Sequence, residues 1–176
     1  MEQKSIVQRV ETASLSALAE NVLTVASWAN MSVATAEGCT GGQISALLSG
    51  IERVGSWFRC GLVAHSNEAT AALLGIPLGE LERNGGVSRE VAIAMSEGAL
   101  RIARADVAVG VCGHTGPMGR HNNGLVHIAV TDQVGRVKHN EFRFGEVGCA
   151  EGRLLATASA LTMLHEAIVK AERSHF

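Results

Sequence analysis

The sequence predicts an α/β fold with a mixed sheet, on three observations. An extended, β-branched segment at 32–35 leads through a glycine-rich loop into a helical pattern at 43–48, which forms a strand–loop–helix unit. The segment 107–112 is almost continuously apolar, as expected of a central strand that is covered on both faces. The segments 125–130 and 137–144 are joined by a short turn, which predicts an antiparallel hairpin.

The other elements follow from helical spacing, capping residues and strand propensity. Apolar residues at helical spacing predict one long amphipathic helix, or two shorter ones, over 6–29. A strand is predicted over 57–64, and Ser66 and Ser88 are predicted N-caps of the two helices that follow it. A last helix over 149–173 is expected to pack back across the sheet.

Length and composition favour one compact domain over residues 1–176, since 47% of the residues are hydrophobic and no break in composition divides the chain. The net charge of −2 is dispersed, so nucleic acid is not an expected partner. No uninterrupted apolar stretch approaches the roughly 18 to 20 residues of a membrane span, and the start of the chain lacks a signal-peptide core. We therefore expect a cytoplasmic protein without a membrane partner.

The four cysteines are far apart and form no Cys-x-x-Cys pair, so neither a zinc knuckle nor a disulfide framework is predicted. We expect reduced thiols, with Cys60 and Cys112 packed as small hydrophobes in strands. His114, His121 and His127 lie close in sequence but lack the compact spacing of a metal motif, and His127 could simply face solvent from its strand. No metal and no cofactor is predicted.

Two loops are candidates for ligand binding because each follows a predicted strand. The loop 36–42 precedes a helix, and free N–H groups at Thr40, Gly41 and Gly42 would be able to hold a phosphate or a carboxylate. The second loop, 113–123, follows the central strand. Both loops would lie at the carboxyl end of the sheet, where open α/β sheets bind ligands.

Several short sequence motifs, taken together, indicate a family. They are Glu37–Gly42, Gly55–Phe58, Ser66–Ala69, Leu74–Ile76, Gly86–Ser88, Ala103–Asp106 and the Gly113-x-x-Gly116-Pro117 pattern. In order and separation they resemble the CinA C-terminal domain family, known as nicotinamide mononucleotide amidohydrolases or PncC. The resemblance covers nearly the whole chain, and it implies a three-layer α/β/α sandwich with a mixed, mostly parallel five-stranded sheet.

The reactive positions of the family are changed in this chain. By this resemblance, Gly38 stands where the family has its nucleophilic serine, and Thr70 stands where it has the lysine understood as the base of that serine. His65 stands in place of a tyrosine near the family's active site. All three changes fall on the reactive cluster, whereas the surrounding sequence motifs are retained. The pattern predicts a pseudoenzyme that retains a pocket for a nucleotide or phosphate ester.

The residues expected to bind that ligand come from the two loops and from the start of the helix that Ser66 caps. They are Glu37, Gly38, Cys39, Thr40, Gly41, Gly42, His65, Ser66, Asn67, Gly113, His114, Thr115, Gly116 and Pro117. Glu37 could instead orient its loop. Arg153, which matches an arginine of the family's last helix, is either a phosphate partner or a solvated charge.

Two alternatives stay open. In the first, the protein is an active amidohydrolase in which Cys39, with its pKa lowered at a helix N-terminus, attacks the substrate with His65 or His114 as base. The family carries the same cysteine beside its serine, so Cys39 also has a purely structural explanation. In the second, the chain is an oligomeric partner of an active paralogue, because family members resemble homo-oligomers.

Overall fold

The computed structural model describes residues 12–52, 55–116 and 123–173. The elements are α1 (Thr12–Trp28), β1 (Val33–Glu37), α2 (Gln43–Ser49), a 3-10 turn (Gly55–Trp57), β2 (Phe58–Val63), α3 (Asn67–Leu74), α4 (Leu78–Arg83), α5 (Arg89–Ala103), β3 (Val107–Gly113), β4 (Leu125–Asp132), β5 (Val137–Arg143) and α6 (Cys149–Arg173). Within these ranges every predicted strand and helix is present, and α4 is additional. The predicted helix over 6–29 is observed as α1, while Ile6 and Val10 lie outside the described residues.

Capping serines begin two of the helices as predicted. The hydroxyl of Ser66 accepts the N–H of Ala69 at the start of α3, and that of Ser88 accepts the N–H of Val91 at the start of α5. One boundary differs, because β1 continues through Glu37 and therefore includes the first two residues of the predicted loop. The loop proper begins at Gly38.

The five strands form one sheet in the order β2-β1-β3-β4-β5. Strand β1 pairs in parallel with β2 and β3, whereas β4 is antiparallel to both β3 and β5. Helices α1, α2 and α6 share one core cluster with the sheet, and α3, α4 and α5 share the other. The predicted three-layer sandwich and the predicted hairpin are both confirmed.

The central strand β3 shows why its sequence is both apolar and small. Its residues are buried up to Cys112, because helices cover both faces. A Cβ atom on Gly110 would lie 2.3 Å from the carbonyl oxygen of Ala92 and 2.5 Å from the nitrogen of Ser96. Only glycine at this position lets the backbone of α5 approach the sheet so closely.

Helix α6 is long and apolar enough, by length and composition alone, to cross a membrane. Half of its apolar window is nevertheless buried within the fold. Leu161, Leu164 and Ile168 are buried in the core cluster that α6 shares with α1 and the sheet, and Leu155 is also buried. The hydrophobicity of this helix is therefore explained by its packing in the core.

Candidate ligand-binding cleft

A cleft of about 490 Å³ opens at the carboxyl edge of the three parallel strands. Because β1, β2 and β3 run in the same direction side by side, the loops that follow them meet there. Helices α3, α4 and α5 line it from one layer and the first turns of α6 from the other. The lining residues are Gly38, Cys39, Ala64, His65, Asn67, Thr70, Leu81, Gly85, Gly86, Val87, Val91, Met95, Cys112, Gly113, His114, Thr115, Gly116, Cys149 and Arg153.

The cleft brings together eight of the residues predicted to bind a ligand: Gly38, Cys39, His65, Asn67, Gly113, His114, Thr115 and Gly116. Five others are not among the lining residues: Glu37, Thr40, Gly41, Gly42 and Ser66. Pro117 lies outside the described residues. The first loop therefore faces the cleft with its first two residues only.

Glu37 explains why the rest of the first loop is turned inward. Its side chain is fully buried. One carboxylate oxygen accepts the hydroxyl of Thr40 at 2.7 Å and the N–H groups of Gly42 and Ile44, each at 3.1 Å. The other accepts the N–H of Ser45 at 2.8 Å and its hydroxyl. Of the two roles considered for Glu37, the structure supports loop orientation.

The prediction of an anion site on the N–H groups of Thr40, Gly41 and Gly42 is wrong. The N–H of Gly42 donates to Glu37, and that of Gly41 donates to the carbonyl oxygen of Gly38 at 3.1 Å. Thr40 is fully buried. The carboxylate of Glu37 thus takes the place that an external anion would have at the start of α2.

Gly38 and Thr70 line the cleft, as does the third changed position, His65. The backbone of Gly38 is outside the left-handed region, and a Cβ atom there would lie 3.3 Å from the carbonyl oxygen of Val111 and 3.6 Å from that of Ala64. A small side chain could therefore stand at this position after a shift of a few tenths of an ångström. Thr70 is buried, and its hydroxyl donates to the carbonyl oxygen of Ser66 at 2.8 Å.

The cysteines differ sharply in their surroundings. Burial, with the nearby Cys112 thiol as the next cause, raises the pKa of Cys39 to about 12. The expectation that a helix N-terminus lowers this pKa is therefore wrong. Burial likewise raises the pKa of Cys112 to about 12. Cys112 is buried as expected and Cys60 only half-buried, while Cys149 is exposed and lines the cleft.

Arg153 is an exposed cation that lines the cleft, and its role as a phosphate partner stays a prediction. Its guanidinium carbon lies 3.9 Å from the position that a Cβ atom of Gly41 would take. Its charge also acts to lower the pKa of Cys39, against the larger effect of burial. Within the described ranges no carboxylate forms an ion pair with it. Arg153 therefore brings a positive charge to the cleft beside the first loop, while the buried carboxylate of Glu37 acts on Cys39 in the opposite direction.

His127 does not face solvent, contrary to the sequence-based expectation. It is buried on β4, and its Nδ1 lies 3.1 Å from Nε2 of His139 on β5. Burial lowers the pKa of both imidazoles. In the part of the chain that the structure describes, no group of three or more His, Cys, Asp or Glu side chains is placed to hold a metal ion.

Most of the cleft residues that sequence reasoning missed come from α4, α5 and the segment before α5, and the others are Ala64, Cys112 and Cys149. Leu81, Val91 and Met95 supply an apolar wall, and Gly85 and Gly86 approach the cleft with φ angles of +66° and +71°. A Cβ atom on Gly86 would lie 2.6 Å from Oδ1 of Asn67, so the two segments are in close contact. The Gly85-Gly86 pair was the one available signal in the sequence.

The fold and the cleft define an α/β/α domain with a cleft of small-molecule size at the carboxyl edge of its sheet. Residues 15–168 match the CinA C-terminal domain. The chain belongs to this family, and among its relatives are nicotinamide-nucleotide amidohydrolases.

Relatives and solved structures agree with this assignment. The chain is 44% identical over 87 residues to the nicotinamide-nucleotide amidohydrolase PncC of Escherichia coli K12, a match that covers 49% of this chain and 53% of PncC. It is 38% identical over 141 residues to a CinA-like protein of Thermosynechococcus vestitus, covering 78% of this chain and 34% of that protein. The chain thus spans only a third to a half of the length of these curated relatives.

Two crystal structures share the fold over most of the chain. The competence/damage inducible protein CihA of Agrobacterium tumefaciens superposes with a TM-score of 0.81 at 38% identity, covering 88% of this chain and 94% of that one. A CinA superfamily protein of Klebsiella pneumoniae gives a TM-score of 0.82 at 27% identity, covering 89% and 98%.

Proposed function

We propose that the protein binds a pyridine nucleotide, or a related small phosphate ester, in the cleft and does not hydrolyse it by the Ser–Lys route of its family. The observation that carries this proposal is the composition of the cleft at two positions. Gly38 and Thr70 line the same cavity, and both stand where the family resemblance expects a reacting group.

The chemistry of amide hydrolysis supports the loss of activity. A covalent route needs a nucleophile, a base that takes its proton, and donors that hold the oxyanion. Gly38 has no side chain, and the hydroxyl of Thr70 is engaged with the carbonyl oxygen of Ser66. A threonine hydroxyl is also no base at neutral pH, so the Ser–Lys route has neither its nucleophile nor its base.

The alternative route through Cys39 is disfavoured by its surroundings. The thiolate is the nucleophilic form of cysteine. With a pKa of about 12, only about one Cys39 thiol in 10⁵ is ionised at pH 7. The imidazoles of His65 and His114 line the same cleft but no hydrogen bond joins either of them to this thiol among the described contacts.

Isothermal titration calorimetry with nicotinamide mononucleotide tests the proposal. The solution in the calorimeter cell is afterwards assayed for ammonia and for the deamidated nucleotide. Saturable heat without product is the expected result. Product that disappears in Cys39→Ala would establish the alternative route instead. No binding of this or any related nucleotide at millimolar concentration would refute the binding function.

We also propose that the protein acts in the cytoplasm, where such nucleotides are found, and that it self-associates. Exposed large apolar side chains would be available for such a contact, Trp28 being 73% exposed and Val134 64% exposed. Light scattering of the purified chain measures this directly, and a monomeric mass at tens of micromolar would contradict it.

A further inference from the structure

We infer that the cleft selects a ligand with two anionic groups, a phosphate and a carboxylate, over the corresponding carboxamide. This inference rests on the proposed function and deepens it, because it states which form of the nucleotide the protein retains. A hydrolase must accept the carboxamide as its substrate. A protein that only binds is free to prefer the acid, and the charges that line this cleft favour the acid.

The lining of the cleft is cationic and neutral. Arg153 carries a positive charge, and the imidazoles of His65 and His114 can each donate a hydrogen bond or accept a proton. Among the described residues that line the cleft, none is an aspartate or a glutamate. An anionic ligand therefore meets hydrogen-bond donors and one positive charge, and no carboxylate stands in the described lining itself.

Three acidic residues that adjoin lining residues in the sequence are hydrogen-bonded outside the cleft. Glu37 is fully buried behind the first loop, where α2 and its neighbours supply its hydrogen bonds. Glu68 and Glu90 lie in the first turns of α3 and α5. Hydrogen bonds from their own backbone N–H groups, and then from the capping serines, lower the pKa of each. These three carboxylates therefore have donors of their own, while the charge of Glu37 still acts to raise the pKa of Cys39.

The sheet sets the spacing of the donors. In the order β2-β1-β3, His65 follows β2, Gly38 follows β1 and His114 follows β3. With roughly 4.8 Å between neighbouring strands, the two histidines flank Gly38 on either side, about 10 Å apart at their backbones. Arg153 comes from α6, in the opposite layer to α3, and lies beside Gly41. Two separate anionic groups can therefore be held at the same time.

Each donor suits one of the two groups. A guanidinium binds phosphate through two parallel hydrogen bonds, so Arg153 is assigned to the phosphate. The imidazoles beside Gly38 are assigned to the carboxylate. A carboxylate accepts from both, whereas a carboxamide presents an NH₂ group to one of them. The space left by the absent side chain of Gly38 lies between them, so the carboxylate would take the place of the reacting groups.

The test is a pair of titrations, with nicotinic acid mononucleotide and with nicotinamide mononucleotide, at the same pH and ionic strength. One hydrogen bond to a charged rather than a neutral acceptor corresponds to about a tenfold difference in Kd, and the acid is expected to bind tighter by at least that factor. Equal affinity, or tighter binding of the amide, overturns the inference while leaving the proposed function standing. Failure of both nucleotides to bind overturns the two together.

Variants assign the two anionic groups. Arg153→Gln is expected to weaken both nucleotides by a similar factor, and His65→Leu, which removes the donor, is expected to reduce the preference for the acid while changing amide binding little. Arg173→Gln, at the far end of the same helix, and His165→Leu, outside the cleft, are the matched controls and should bind like the parent. A preference that survives in both His65→Leu and His114→Leu would contradict the assigned role of the imidazoles.

Discussion

Replacement of Glu37 by glutamine would test how the first loop holds its shape. The carboxylate is fully buried and accepts hydrogen bonds from the hydroxyls of Thr35, Thr40 and Ser45 and from backbone N–H groups at the start of α2. Glu37→Gln preserves the size of the side chain. It removes the charge and replaces one acceptor oxygen with an NH₂ group that cannot accept.

The loss of stability in Glu37→Gln depends on which hydrogen-bond donors lose their acceptor. In one orientation of the amide the N–H groups of Gly42 and Ile44 lose it, and in the other only that of Ser45 does. In the second case the hydroxyls of Thr35 and Ser45, 2.8 Å apart, still bond to each other. A buried donor without a partner costs about 1–3 kcal/mol, and a hydrogen bond to a charged group contributes about 1.5–3 kcal/mol. The milder orientation predicts a loss of about 2–4 kcal/mol.

Urea unfolding followed by circular dichroism measures this loss, and the midpoint should fall at an unchanged slope. A loss of this size is a large share of a total stability of roughly 5–15 kcal/mol. Glu97→Gln, on the exposed face of α5, is the control and should change stability by less than about 0.5 kcal/mol. A Glu37→Gln protein that unfolds together with this control would refute the proposed role of the carboxylate.

Three further predictions concern other parts of the fold. Gly110→Ala should destabilise the protein by about 3 kcal/mol or more in urea unfolding, because the new methyl group would overlap the backbone of α5. Burial lowers the pKa of His127 and His139, so the unfolded chain binds more protons below their ordinary value of 6.5. The contribution of these two histidines to the free energy of unfolding should be fully present above pH 6.5 and be lost as the pH falls through their lowered pKa values. Thermal melts from pH 8 to 5 measure this loss. Iodoacetamide at pH 8 should modify Cys149 much faster than Cys39, as measured by mass spectrometry.

Each of these predictions has a matched comparison. Gly79→Ala, where an added Cβ atom meets nothing within 4 Å, should unfold like the parent or later. A double replacement of His127 and His139 by asparagine should flatten the pH dependence, and an unchanged slope would mean that other groups cause it. Equal labelling rates at Cys149 and Cys39 under native conditions would show that the buried thiol is accessible.

The fold was largely predictable because its signals are local and repeated. The apolar run of β3, the capping serines of α3 and α5 and the spacing in α6 each predict an element that the structure contains. Helix α4 was not predictable in the same way. Pro77 ends the preceding helical pattern, yet it also stands as the N-cap of the six residues that follow. A single proline does not tell these two roles apart.

The site was predictable in position but not in detail, because burial is a tertiary property. The sequence places a carboxylate and several free N–H groups in one loop, and it does not show that they satisfy each other. Only the three-dimensional arrangement turns Glu37 toward α2. The same holds for Cys39, whose neighbour Cys112 comes from a strand more than 70 residues away. Desolvation by such distant segments reversed the expected direction of its pKa shift.

The inward-turned Glu37 separates what holds the loop from what reacts in it. Glu37 and the donors that bind its carboxylate are not among the residues that line the cleft, and no side chain at position 38 or 70 takes part in these hydrogen bonds. Exchange of the reacting side chains therefore leaves the frame intact. In evolutionary terms, such a loop can lose a catalytic residue, acquire a different one or regain the original one, each by a single step through a folded intermediate.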